Sequence, residues 1–169
     1  HGVRQELAHA VIVGVSDTSF HRTIPEHVAA ISIDRADAQA YDIKRFGYHG
    51  LSFASLTRRL EEVFDEVPAR VIMCHIGGGI SVAAIHNGKS VATSMGYTPA
   101  SGMIMGSRGG DVTAGVLATL IQKKKLQGEE LYEYLYKQSG FQGVAGVRDL
   151  RLVLDRAAGK NHEAMLAVD

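Results

Sequence analysis

The chain has 169 residues, 46% hydrophobic and 21% charged, a composition typical of a globular protein rather than a disordered or fibrous one. Its 18 Lys and Arg residues balance 18 Asp and Glu residues, so we expect no overall positive field to attract nucleic acid or an anionic membrane. No apolar stretch approaches the roughly 20 residues that span a bilayer, and we expect a cytoplasmic protein.

The first predicted strand is the apolar run at residues 11–15, which is typical of a strand buried on both faces. Asp17 follows it, at the end of the strand where open α/β sheets place their ligands. A carboxylate there could hold magnesium, and it could equally cap a turn. The mixed stretch at residues 24–42 predicts only short helical pieces.

A helix is predicted after Gly50, with Ser52 as its capping residue and Pro68 beyond its end. Its apolar residues recur at helical spacing and are expected to face the core: Phe53, Leu56, Leu60, Val63, Phe64 and Val67.

Three antiparallel strands are predicted next, at residues 71–76, 81–85 and 90–94. Asn87 and Gly88 predict a tight hairpin between the last two. The single cysteine, Cys74, lies in the apolar first strand, so we expect a buried thiol and a reducing compartment.

A loop rich in Gly and Ser at residues 96–110 is predicted to lead into a helix capped by Asp111. The residues of this helix that are expected to face inward are Val112, Val116, Leu117, Leu120 and Ile121. We interpret the lysine run at residues 123–125 as complementing the helix dipole rather than as a nucleic-acid patch. Further helices are predicted at residues 129–138 and 150–158.

Three consecutive glycines, Gly77, Gly78 and Gly79, separate the first two strands of the hairpin region. Glycine allows backbone conformations in which successive N–H groups converge on an anion, so this glycine turn is a candidate phosphate cradle. His75 just before it favours a site. The other interpretation is a flexible hairpin turn without a ligand.

A second candidate anion site is the segment at residues 106–111, where Arg108 lies among glycines at the predicted start of a helix. Free N–H groups, the helix dipole and a guanidinium fork would all favour a phosphate there. Arg108 would then stabilise a transferring phosphoryl group. It could equally be a solvated loop arginine.

The sequence lacks the motifs of zinc enzymes, of serine hydrolases and of phosphate-loop nucleotidases. The histidines lie far apart along the chain and show no zinc-ligand spacing. We also find no nucleophile elbow and no phosphate-loop lysine motif.

Six segments, in chain order, resemble the acetate kinase family: DTSFH at residues 17–21, RFGYHG at 45–50, CHIGGG at 74–79, NGKSV at 87–91, TSMGYTP at 93–99 and MGSRGGD at 105–111. The resemblance continues through Ser139 and Gly140 and residues 146–154. It implies an actin-like, ribonuclease H-like α/β fold, with a mixed sheet, flanking helices and two lobes around a cleft, usually as a homodimer. Residues 1–40 would end the first lobe, and residues 41–169 would form the start and body of the nucleotide-binding lobe.

The resemblance also implies a role for each matching position. Asp17 would be the catalytic, magnesium-associated aspartate, His49 and His75 would line the phosphoryl path, and Arg108 would contact the transferred phosphate. The remaining implied contacts are Gly77, Gly78 and Gly79 as the phosphate loop, Tyr48 and Pro99 as the wall of the acyl site, and Asp149 and Arg151 at the ribose and adenine.

The implied reaction is reversible transfer of the γ-phosphate of Mg²⁺-bound ATP to a short-chain carboxylate, giving an acyl phosphate and ADP. Gly78 stands where many acetate kinases carry Asn, Tyr48 replaces Phe, and Phe53 replaces His, so the acyl preference is open. Several family segments before and after this region have no counterpart, and we expect the chain alone to be incomplete for the reaction. The alternative is a noncatalytic lobe that binds nucleotide or contacts another subunit.

Overall fold

The computed structural model describes residues 5–7 and 9–168. A short 3₁₀ helix, Ser19–Thr23, precedes eight α-helices and three strands in the described part. In chain order the elements are α1 (Glu26–Ala29), α2 (Arg35–Ala40), α3 (Gly50–Phe64), β1 (Arg70–Ile76), β2 (Ile80–His86), β3 (Lys89–Thr93), α4 (Ala114–Lys124), α5 (Gly128–Lys137), α6 (Gly140–Ala145), α7 (Leu150–Ala158) and α8 (His162–Val168).

The three strands form an antiparallel sheet in the order β1-β2-β3, which confirms the predicted hairpin region. Asn87 and Gly88 have φ angles of 48° and 73°, the left-handed values that a two-residue hairpin turn requires. A bulge between Ala84 and Ile85 interrupts the register of β2 with β3. The turn between β1 and β2 consists of the three glycines.

Helix α3 packs against one face of the sheet. Phe53 is fully buried among Met73, Ala83 and Ile85, and Leu60 lies at the edge of this cluster. The periodicity therefore predicted the helix, but its inward face only in part: Leu56, Val63 and Phe64 are exposed, and Val67 lies beyond the end of the helix. Ser52 does not cap the helix. The helix begins at Gly50 with His49 in the cap position, and the Ser52 hydroxyl lies 3.0 Å from Nδ1 of His75 instead.

A second apolar cluster joins β2 to the C-terminal helices. It consists of Ile80, Met95, Met105, Phe141, Ala145, Val153, Ala164 and Ala167. This cluster fixes the start of β2 and the loop around Met105 against α6, α7 and α8. The glycine turn precedes Ile80, so it is attached to a well-packed element at that end.

The predicted strand at residues 11–15 is wrong for the described chain. These residues belong to no helix or strand, and the side chains of Val11 and Val13 are 91% and 76% exposed. A strand needs hydrogen-bonding neighbours as well as an apolar pattern, and within the described residues the sheet contains only β1, β2 and β3.

The expectation of a buried Cys74 is also wrong, because the residue is exposed. Side chains alternate between the two faces of a strand, and Met73 occupies the face covered by α3. Ile72 and Ile76, which share the face of Cys74, are likewise more than 60% exposed. The apolar run was compatible with one buried face or with two.

Helix α4 begins later than predicted, at Ala114, with Thr113 in the cap position. Asp111 instead accepts a 2.8 Å hydrogen bond from the backbone N–H of Gly102 and closes the loop at residues 102–111. The inward face predicted for α4 is only partly covered, since Val116 and Ile121 are about half exposed. Helices α5 and α7 follow the predicted bounds closely. Within the described residues, no helix is long and apolar enough to cross a membrane.

Candidate active site

Two histidines from different elements stack beside the glycine turn. His49 occupies the cap position of α3 with a φ of 59°, and His75 lies near the end of β1. Their ring centroids are 3.9 Å apart and the ring planes differ by 19°. Residues that are 26 positions apart in the sequence are thus brought into direct contact, as a shared site requires.

Each of these rings is held at Nδ1 by a serine. Nδ1 of His49 lies 2.8 Å from the Ser81 hydroxyl, and Nδ1 of His75 lies 3.0 Å from the Ser52 hydroxyl. Burial lowers the pKa of His49, and the neighbouring His75 lowers it further, whereas Asp17 opposes the change. The environment therefore favours a neutral His49 ring.

The glycine turn lies against the other edge of the two rings. A β-carbon added at Gly79 would lie 2.9 Å from Nε2 of His49 and 3.2 Å from Nη1 of Arg108. A β-carbon added at Gly77 would lie 3.3 Å from Nε2 of His75. The turn, the two histidines and the guanidinium therefore converge on one place.

Arg108 is held by contacts that the sequence did not reveal. Its Nη1 donates a 3.0 Å hydrogen bond to the Pro99 carbonyl, and its guanidinium carbon lies 4.4 Å from the centre of the Tyr136 ring. Tyr136 belongs to α5, where Tyr132 stacks on it one turn earlier. That pair of tyrosines at helical spacing was the available signal, but nothing linked it to Arg108.

The segment that carries Arg108, here called the arginine loop (residues 106–110), is not the start of α4. It rests on the start of α6, where the N–H groups of Phe141 and Gln142 donate to the carbonyls of Met105 and Gly106. The expectation that a helix dipole at residue 111 would support an anion beside Arg108 is therefore wrong. The guanidinium itself provides the positive charge at this point.

Asp17 contacts the backbone of His49 rather than its ring. Its carboxylate accepts hydrogen bonds from the backbone N–H groups of His49, at 2.7 Å, and Leu51, at 3.3 Å. This is the geometry of a cap on the first turn of α3, the second of the two roles considered for Asp17. The contact also fixes the backbone of His49.

A magnesium site can be tested against these residues. No group of three or more His, Cys, Asp or Glu side chains in the described chain could hold a metal ion. Asp17 uses two of about four lone-pair positions and could still supply one carboxylate oxygen. Magnesium commonly needs only one or two carboxylates when phosphate oxygens and water complete its shell, so Asp17 fits as a single ligand.

A cleft of about 510 Å³ runs from the glycine turn to the start of α7. Gly77, Gly78, Asp149 and Arg151 all line it, together with the apolar side chains of Ile76 and Leu154. Asp149 caps α7 and pairs with Arg151, which holds the pKa of Asp149 at about 2. The structure thus places four of the five residues predicted at the nucleotide in the lining of one cleft, and Gly79 follows Gly78 in the glycine turn.

The two predicted acyl-site residues, Tyr48 and Pro99, make hydrogen bonds with or within the loop at residues 96–110. The Tyr48 hydroxyl donates a 2.9 Å hydrogen bond to the Tyr97 carbonyl, and burial raises the pKa of Tyr48. Pro99 contacts Arg108 through its carbonyl. A ligand bound to Arg108 would therefore lie close to Pro99.

Known proteins resemble this chain in sequence and in fold. The sequence profile of the acetokinase family matches residues 1–169. The chain belongs to the acetokinase family. It is 39% identical over 165 residues to the acetate kinase of Brachyspira hyodysenteriae, covering 98% of this chain and 42% of that protein.

Solved structures of the family have the same fold. The crystal structure of Porphyromonas gingivalis acetate kinase matches with a TM-score of 0.84 and 39% identity, over 89% of this chain and 39% of that one. A propionate kinase from Francisella tularensis matches with a TM-score of 0.91 and 34% identity, over 97% of this chain and 43% of that one. The predicted fold class, an α/β actin-like ATPase, is confirmed. The chain spans about two-fifths of the length of these relatives.

Proposed function

We propose that the protein containing this chain transfers the γ-phosphate of ATP to a short-chain carboxylate such as acetate or propionate, reversibly. The observation that carries the proposal is the convergence of His49, His75 and Arg108 on the glycine turn. Membership of the acetokinase family supports carboxylate kinase activity in general. We also propose that residues 1–40 end one lobe and residues 41–169 belong to the nucleotide-binding lobe of a cytoplasmic homodimer.

In the proposed reaction, a carboxylate oxygen attacks the γ-phosphorus in line with the bond to the β-phosphate oxygen. The new oxygen–phosphorus bond gives the acyl phosphate, and the broken bond releases ADP. Such a transition state spreads negative charge over the phosphoryl oxygens, so positioning and charge neutralisation account for most of the catalysis.

The residues of this chain supply that neutralisation. Arg108 retains guanidinium N–H groups beyond the one that donates to Pro99, and these can bind phosphoryl oxygens in a fork. His49 and His75 would contribute N–H groups from the adjacent rings. When bound, magnesium would neutralise phosphate charge, with Asp17 as its single ligand from this chain.

The proposed substrate positions rest on the cleft and on the predicted acyl-site residues. The nucleotide would occupy the cleft of about 510 Å³, with its phosphates on the glycine turn and its nucleoside near Asp149 and Arg151. The carboxylate would approach from the side of Tyr48 and Pro99. Ile76 and Leu154 would contact the apolar faces of the base.

The direct test replaces Arg108 with Ala in the full-length protein. We expect kcat to fall about a thousandfold, because one positioned cation is lost from the transition state, while the KM for ATP changes only a few-fold. Arg59→Ala is the matched control, since Arg59 is exposed and forms a surface ion pair with Glu62, outside the predicted site. Comparable turnover in Arg108→Ala would refute the role of Arg108.

A hydroxamate assay with acetate, propionate and butyrate would identify the acyl substrate. Running it on the 169-residue chain and on the full-length protein also tests the noncatalytic alternative. We expect activity in the full-length protein. Nucleotide binding with no turnover by either protein would favour the noncatalytic lobe.

A further inference from the structure

Three histidines of the structure share one arrangement: each has Nδ1 within hydrogen-bonding distance of a serine hydroxyl. The pairs are His21 with Ser90 at 2.8 Å, His49 with Ser81 at 2.8 Å and His75 with Ser52 at 3.0 Å. A neutral imidazole has one donor and one acceptor nitrogen. The direction of each serine bond therefore decides which nitrogen carries the proton.

The His21 pair fixes that direction by its second contact. Nε2 of His21 lies 2.9 Å from the carbonyl oxygen of Tyr48, which can only accept a hydrogen bond. Nε2 must therefore carry the proton, and in the neutral ring Nδ1 accepts from the Ser90 hydroxyl. His21 and Ser90 are both buried, so this pair works as a structural tie.

The His49 pair has the same direction for a different reason. Ser81 is fully buried, so its hydroxyl hydrogen needs a protein acceptor. Among the described residues, Nδ1 of His49 is the partner of that hydroxyl. If Ser81 donates to Nδ1, the proton of the neutral His49 ring resides on Nε2.

The His21 and His49 pairs differ in the group that lies next to Nε2 of the histidine. In His21 it meets a backbone carbonyl, whereas in His49 it points at Gly79, with Arg108 beside it. Nε2 of His75 points in the same way at Gly77. The two stacked rings thus direct their Nε2 atoms at the same glycine turn.

We propose that Ser81 and Ser52 are positioning residues that hold His49 and His75 as Nε2–H donors directed at a phosphoryl group on the glycine turn. The identity of that group as the transferred phosphate rests on the proposed function. The serines themselves do not touch it. They set the tautomer and the ring orientation before the substrate binds, so no reorganisation is required during transfer.

Nitrogen-15 NMR of the histidine side chains in the full-length protein tests the tautomers directly. In the unsubstituted protein, neutral His49 is expected to show a protonated Nε2 and an unprotonated Nδ1. In Ser81→Ala, the Nδ1–H tautomer of His49 should appear, because no Ser81 hydroxyl remains to donate a hydrogen bond to Nδ1. Ser81→Thr, which retains a hydroxyl, should restore the original tautomer.

Ser90→Ala is the matched control, because it removes an equally buried serine from His21. Its His21 ring should remain protonated at Nε2, since the Tyr48 carbonyl still accepts that proton. Thermal unfolding of each variant separates loss of the fold from loss of the tautomer. Ser52 is only partly buried, so Ser52→Ala repeats the test on His75 at a position where folding is more tolerant.

Turnover provides the second measurement. We expect Ser81→Ala to lower kcat about tenfold with little change in KM, as the loss of one oriented donor implies, and Ser90→Ala to leave kcat unchanged. A His49 ring protonated at Nδ1 in the unsubstituted protein would overturn the positioning proposal. Correct tautomers in a protein without kinase activity would instead overturn the proposed function and leave the serine–histidine arrangement standing.

Discussion

The glycine turn and the arginine loop are both rich in glycine, yet they need it for different reasons. In the glycine turn, a β-carbon on Gly78 would meet no atom within 4 Å, and one on Gly79 would meet the ends of the His49 and Arg108 side chains. Glycine there leaves room beside functional groups. A ligand can therefore approach the backbone of this turn closely.

The arginine loop is filled by backbone instead. A β-carbon on Gly110, which has a φ of 74°, would lie 2.5 Å from the Gly102 carbonyl oxygen. Gly140 of α6 has a φ of 62° and lies beneath Arg108, whose backbone oxygen and nitrogen would be 2.6 and 2.8 Å from an added β-carbon. We call Gly110 and Gly140 the platform, because they let backbone segments pack closely together beneath Arg108.

The contrast separates two functions that a glycine-rich sequence can serve. The glycine turn offers space to an anion, although the N–H group of Gly77 donates to the Gly79 carbonyl within the turn. In the arginine loop the Gly106 carbonyl accepts from α6, and the loop contributes a guanidinium. Substitutions in the platform should therefore destabilise the fold, and substitutions in the turn should impair function first.

The largest effect is expected for Gly140→Ala. The added β-carbon would collide with the backbone of Arg108 and come closer still to the Met105 carbonyl oxygen, at a backbone conformation unfavourable for alanine. We expect the free energy of unfolding to fall by about 3 kcal/mol or more. Urea denaturation of the full-length protein measures this change.

Gly146→Ala is the control for the backbone conformation alone. Gly146 has a φ of 71°, but an added β-carbon would have no neighbour within 4 Å. Its cost should be about 1 kcal/mol, the usual penalty for alanine in the left-handed region. Equal losses in the two variants would contradict the platform role of Gly140.

Gly79→Ala should have the largest effect on activity among the turn variants. Its β-carbon would displace Nε2 of His49 and Nη1 of Arg108, both of which are ends of side chains that can move. We expect kcat to fall about a hundredfold, because displacements near 1 Å cost that much, with less than about 1 kcal/mol lost in stability. Steady-state kinetics and urea denaturation on the same preparation separate the two effects.

Alanine substitutions at two other glycines provide a comparison for the effect on kcat. Gly77→Ala should reduce kcat less, because its β-carbon would lie 3.3 Å from Nε2 of His75 and needs a smaller shift. Gly115→Ala should leave kcat unchanged, since Gly115 lies within α4 and has open space around it. A Gly79→Ala enzyme as active as Gly115→Ala would mean that the glycine turn does not form part of the site.

Local patterns in the sequence predicted the parts of the fold that local chemistry determines. The Asn87–Gly88 hairpin, the three strands and the existence of α3 each depend on nearby residues, and each was predicted correctly. The inward face of α3 was predicted only in part, because it depends on how far the sheet extends beneath the helix. The convergence of His75, the glycine turn and Arg108 could be suspected because all three resembled known motifs. Their distances could not be derived, since they depend on the packing of β2 and α6.

The errors share a physical cause. Residues 11–15 and Cys74 have apolar patterns, but a pattern cannot specify how many faces are covered or whether a neighbouring strand exists. Ser52 and Asp111 are plausible helix caps by residue type. In the structure Ser52 instead hydrogen-bonds to His75, and Asp111 accepts from Gly102. Ser81 carried a usable signal, a polar residue between Ile80 and Val82 in a buried strand, that was not interpreted.

The smallest expected effect concerns Tyr136, whose ring contacts the Arg108 guanidinium. The aromatic ring lies 4.4 Å from the guanidinium carbon, and such a contact stabilises by about 0.5–1 kcal/mol at partly exposed sites. Tyr136→Leu should therefore lower kcat several-fold, and Tyr136→Phe, which keeps the ring, should retain nearly full activity. Tyr134→Leu is the matched control, because it removes a similar contact with Lys124, at 4.2 Å, that involves no predicted site residue. If Tyr134→Leu and Tyr136→Leu reduce kcat equally, the ring acts through the stability of α5, and Arg108 depends for its position on Pro99 and the platform alone.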